Sequence, residues 1–108
     1  HQAVFEATMV ASRPVRAGSD IQLLAAYETP SETQWNAPHI EPNFTPNWVV
    51  DISDHIDTKI EAFRCFESQI SEPYGSRSAE AVRAMAIFRG SQSGFPYGEG
   101  FHVIRMVT

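Results

Sequence analysis

His1, His39, His55 and His102 are the side chains best able to bind a metal or move a proton, yet no two stand at the i, i+4 spacing that places paired ligands on one helix face. A catalytic zinc takes three protein ligands and keeps a fourth position for water, so a self-contained site is not expected from this chain. His1 is the best placed, because it directly precedes a helical pattern, where a strand end in an α/β fold delivers a side chain to the ligand crevice. On position alone, the plainer reading is a terminal histidine without a role. Asp51, Asp54 and Asp57 cluster, but capping and helix-dipole compensation account for the latter two. Gly90-Ser91-Gln92-Ser93-Gly94 lacks the lysine of a nucleotide loop, and no serine lies in a glycine-flanked elbow. Cys65, the sole cysteine, sits between Phe63 and Phe66 and reads as a small buried hydrophobe; a Cys65-dependent hydrolase is a remote alternative.

The elements that must position these groups follow from periodicity. Val4, Phe5, Thr8, Met9 and Ala11 recur at helical spacing, and Pro14 closes that segment. Gly18-Ser19-Asp20 breaks the chain before Ile21 to Tyr27, a short apolar run expected to be a buried strand. Residues 29–46 carry Pro30, Pro38, Pro42 and Pro46, so an irregular loop is expected, either a functional segment bordering the crevice with Glu28 or a surface excursion pinned by Trp35. Trp48 to Ile52 reads as a strand. Ser53 is expected to cap the helix that follows, whose apolar face would run Ile56, Ile60, Phe63, Phe66 and Ile70. After a break at Pro73 and Gly75, Ser78 can cap a second helix carrying Val82, Met85 and Ala86, ending near Gly90 or Gly94. Phe101 to Val107 alternates as a closing strand, and no internal repeat is present.

This alternation predicts an α/β sandwich with helices on both faces of its sheet. If the Ile21 to Tyr27 strand is parallel to its neighbours, Glu28, the long loop, Ser53 and Asp54 gather at the ligand-bearing sheet edge. With 108 residues the chain is one small domain at most. Its hydrophobic fraction of 43% excludes general disorder. Lys and Arg number 8 against 13 Asp and Glu, a net charge of -5, and no basic cluster could follow a phosphate backbone, so nucleic-acid binding is disfavoured. No apolar run approaches the roughly 20 residues that span a bilayer, and no signal-peptide pattern opens the chain, so a cytoplasmic protein is expected.

His1-Gln2-Ala3-Val4 with Ala11-Ser12-Arg13-Pro14, then Asn47-Trp48-Val49-Val50-Asp51-Ile52-Ser53, then Arg89-Gly90-Ser91-Gln92 and Tyr97-Gly98-Glu99-Gly100-Phe101, occur in an order and spacing that resembles the C-terminal portion of the PIG-L/LmbE-like zinc-dependent N-acetylglucosaminyl deacetylases. The resemblance covers nearly the whole chain except the loop. It implies a Rossmann-like three-layer αβα sandwich of which residues 1–108 are a single partial domain, the N-terminal portion being absent. In that family an upstream His-Pro-Asp-Asp element supplies two zinc ligands and the carboxylate base, and a later His-x-Asp-His element supplies the third ligand and a histidine that assists the oxyanion. His1 matches the last histidine of the later element, so the resemblance makes it a metal position.

The implied reaction is hydrolysis of the N-acetyl group of an N-acetylglucosamine-type conjugate, giving acetate and a free amine, with zinc polarising the carbonyl and activating water. The general base would lie upstream, so no catalytic residue is assigned within the chain, and residues 1–108 alone are expected to be inactive. Arg89, Tyr97 and Glu99 are the candidate substrate contacts. Arg89 would pair with a polar group of the substrate or pin the sheet edge; Tyr97 would offer a face to a sugar ring, and Glu99 would hold a hydroxyl or a backbone turn, each having a structural alternative. His102 alternates with Phe101 and is placed away from the site. A non-catalytic α/β binding or assembly module is the alternative from another class. Apolar sheet surface left by an unfinished domain would favour a homo-oligomer.

Overall fold

The computed structural model describes the chain apart from residues 34–39, 41 and 72. Trp35 and His39, named above, therefore lie outside the described residues. The elements are α1 (Gln2–Ala11), a 3-10 turn (Arg16–Asp20), β1 (Leu23–Tyr27), β2 (Trp48–Asp51), α2 (Ile56–Arg64), a second 3-10 turn (Glu67–Gln69), α3 (Ala79–Ser91) and β3 (Gly98–Met106). The order helix, strand, loop, strand, helix, helix, strand is the expected one. The fold is mixed α/β with a small three-stranded antiparallel sheet in the order β1–β3–β2. The parallel pairing on which a crevice beside Glu28, Ser53 and Asp54 was conditional is therefore not found, and β2 meets β3 antiparallel, pairing Trp48 with Phe101 and Asp51 with Gly98. The middle residues of β1 and β2 are half-buried.

Two compact units are present, His1–Ala26 with Val103–Thr108, and Tyr27–His102. In the first, α1 buries none of its residues, and Val4 and Phe5 are 70% and 53% exposed. The Arg105 guanidinium donates through Nη2 to the carbonyls of Gly18 (3.0 Å) and Ile21 (3.4 Å), tying the turn to the final strand, while its buried Nε has no partner among the described residues.

In the second unit, Ile52, Ile56 and Ile60 recur at every fourth position and pack against Val82 and Ala86, forming the buried core, with Val50, Phe63, Ala79 and Tyr97 around it. Asp57 in the first turn of α2 and Arg64 in its last turn match the helix dipole. Ser78 caps α3 as expected, accepting from the Ala81 amide at 3.1 Å. Ser53 does not cap α2. Its hydroxyl donates to the Asp51 carboxylate at 2.6 Å, and His55 occupies the cap position without a side-chain bond. The helix also stops at Arg64, so Phe66 (63% exposed) and Ile70 fall beyond the predicted apolar face, and Cys65 is exposed where a buried residue was expected.

Candidate functional site

The charged residues of the second unit meet where the C-terminal half of α3 crosses the start of β3. The crossing is close because both backbones lack side chains there. A Cβ on Gly90 would stand 2.9 Å from the Gly98 nitrogen, and one on Gly98 would stand 2.8 Å from the Gly90 nitrogen. One turn of helix carries Arg89 over this junction, and Glu28, immediately after β1, meets it. The guanidinium donates through Nε to Glu28 Oε2 at 2.8 Å and through Nη2 to Oε1 at 2.7 Å, a two-pronged pair. Its third nitrogen donates to Gln92 Oε1 at 3.0 Å. Both side chains are largely buried, 13% and 11% exposed. Glu28 holds the guanidinium in its charged form, raising a pKa that burial alone would lower.

Beside this pair, Lys59 on α2 bonds Glu99 on β3 at 2.7 Å, each about a third exposed. Glu28, Lys59, Arg89 and Glu99, with Gly98 and Gly100, line a cavity of about 10 Å³, the room of a single water. Two cations and two carboxylates thus close on one another in neutralised pairs.

Arg89 and Glu99, two of the candidate substrate contacts, both line this cavity, and Glu28 and Lys59 are their ion-pair partners. Glu28 was placed near a crevice for a different reason, and Lys59 was not singled out; a contact between residues 28 and 89 leaves no local pattern in the chain. Tyr97 does not line this cavity. It packs against the apolar core, its amide reaches Ser53 Oγ at 3.4 Å, and the Arg83 guanidinium, bonded to Asp57 at 2.7 Å, lies 5.8 Å from its ring centre. His102 donates from Nδ1 to the Thr45 carbonyl at 2.7 Å, a role that fixes the end of the long loop. His1 belongs to the first unit. It is exposed at the N-terminal end of α1, its carbonyl accepting from the Phe5 amide at 3.0 Å. Among the described residues no group of three His, Cys, Asp or Glu side chains could hold a metal, and no helix is long and apolar enough to cross a membrane.

The chain matches no protein-family model. It is 37% identical over 59 residues, 55% of its length, to the diacetylchitobiose deacetylase of Thermococcus kodakarensis. The match spans 22% of that relative.

Proposed function

We propose that the chain is the C-terminal portion of a zinc-dependent deacetylase that removes the acetyl group from an N-acetylglucosamine-type sugar conjugate, releasing acetate and a free amine in the cytoplasm. The similarity to diacetylchitobiose deacetylase carries this reading. The sequence motifs around His1, Asp51, Arg89 and Glu99 point the same way, since their order resembles that of sugar deacetylases of the PIG-L/LmbE type.

In this reading His1 supplies one zinc position, and the other ligands and the general base come from sequence outside residues 1–108. The residues present do not fit a metal shell by themselves, because no three ligand-type side chains converge among those described. The exposed apolar surface is consistent with a further part of the same domain covering it. Val4 and Phe5 on α1 and Leu23 on β1 are large hydrophobics in water, and such surface is stabilised when another segment or a second copy covers it. Within the second unit, Arg89 and Glu99 remain the candidate substrate contacts, each held in place by an ion pair with Glu28 or Lys59.

The test is a comparison of the full-length protein with its His1→Ala variant. The wild type is expected to bind zinc and to release acetate from an N-acetylglucosamine conjugate, and the variant to lose both the metal and the turnover. Retained zinc with undiminished turnover would remove His1 from the site. A full-length protein that binds the sugar without releasing acetate would favour the non-catalytic binding module.

A further inference from the structure

Hydrogen bonds of Ser71, Gly75, Arg77 and Ser78 tie the chain together just before α3. The Ser71 amide donates to the Arg77 carbonyl at 2.9 Å, and the Arg77 amide donates to Ser71 Oγ at 3.2 Å. The Ser78 amide closes a turn on the Gly75 carbonyl at 3.1 Å. The Arg77 side chain then bonds Ser31 (2.8 Å), Gln69 (2.7 Å) and Glu32 (2.8 Å). On this fixed turn Tyr74 has φ +79°, a left-handed conformation that glycine enters freely and an aromatic residue enters at a cost. Its side chain is fully exposed, so the ring contributes no burial to the fold. The fold itself thus gains nothing from a tyrosine at this position.

A concavity of about 440 Å³, within the range of small-ligand sites, opens beside the ring. It is lined by Ala81 and Ala84, one turn apart on α3, by Pro73 and Tyr74, and by the exposed Glu80. Small side chains, an aromatic ring and a carboxylate acceptor suit a ring with apolar C–H faces and hydroxyl or amide N–H donors at its edge. An anionic ligand would meet Glu80 and a chain of net charge -5.

We propose that this groove is an accessory sugar subsite, in which the Tyr74 ring stacks on a pyranose and Glu80 accepts from its hydroxyl or acetamido N–H. The choice of an N-acetylated sugar rests on the deacetylase reading; the groove and the strained tyrosine do not. The bonds of Ser71, Arg77 and Ser78 hold the backbone on either side of the tyrosine, while the exposed ring itself is ordered only by the ligand.

The experiment titrates full-length protein carrying ¹³C-labelled tyrosine with tetra-N-acetylchitotetraose, EDTA being present to stop metal-dependent turnover. The Tyr74 ring signals are expected to shift saturably, and Tyr74→Ala to weaken binding about tenfold while Tyr74→Phe stays within about twofold, as loss or retention of ring burial requires. Tyr74→Gly is expected to melt above the wild type, because it relieves the left-handed strain, and to bind as weakly as the alanine variant. Unmoved Tyr74 signals, or an alanine variant that binds like wild type, overturn the proposal. Acetate release is measured separately without EDTA. Release with an unmoved Tyr74 removes the groove and leaves the deacetylase reading standing; a shifted Tyr74 without release upholds the groove and removes that reading.

Discussion

Arg89 and Glu28, 61 residues apart in sequence, form a two-pronged ion pair whose side chains are nearly out of water. Removing one partner of such a pair leaves a charge desolvated without compensation, which is costlier than never having had the pair. Glu28→Gln is expected to destabilise the full-length protein by about 3 kcal/mol, and Arg89→Lys by less, since an ammonium keeps the charge but loses the fork. Denaturant midpoints measure both. If Arg89 instead served chiefly to bind substrate, Arg89→Lys would raise KM while leaving the midpoint in place.

A second expectation concerns Asp51, whose carboxylate accepts from the Ser53 hydroxyl at 2.6 Å and the Ser53 amide at 2.9 Å. The hydroxyl bond first, and the amide bond second, hold its pKa below the ordinary 3.8. A folded pKa below the unfolded one means that the stabilisation is complete above the unfolded value and is lost as pH falls through the folded one. Carboxyl NMR should therefore show Asp51 titrating below 3.8, with Ser53→Ala moving the midpoint upward toward that value. A midpoint unaffected by the substitution would show that the hydroxyl bond does not form in solution.

The crossing of α3 over β3 gives a third. Gly98→Ala would place a methyl 2.8 Å from both the Gly90 nitrogen and a Val49 side-chain carbon, and backbone cannot yield as a flexible side chain can. The expected loss is at least about 2 kcal/mol, accompanied by disturbance of the adjoining Arg89 and Glu99 pairs. Thermal unfolding with the wild-type midpoint would refute the close approach. Gly94, by contrast, has open space around it and φ +81°, so Gly94→Ala costs through backbone strain alone.

Much of the fold was legible in the chain because its signals are local. The spacing of Ile52, Ile56 and Ile60, the Ser78 cap and the alternation into β3 each need only a few neighbouring residues. Strand direction was not legible, since half-buried apolar runs such as Leu23–Tyr27 read alike in parallel and antiparallel sheets. Ser53 was misread as a cap because capping and a local bond to Asp51 use the same hydroxyl and compete at short range. Arg89 and Glu99 were singled out by motif as candidate substrate contacts, whereas their partners Glu28 and Lys59 arise only through the tertiary crossing. Cys65 misled because its flanking phenylalanines mimic a core, while the helix has already ended at Arg64.

The most direct measurement is the release of acetate, matched by an equal yield of free amine, when the full-length protein is incubated with N,N′-diacetylchitobiose. Stoichiometric release that stops on zinc removal and returns on zinc addition is the expected result. Failure of a folded, zinc-supplied full-length protein to release acetate from that disaccharide or from other N-acetylglucosamine conjugates would contradict the deacetylase assignment.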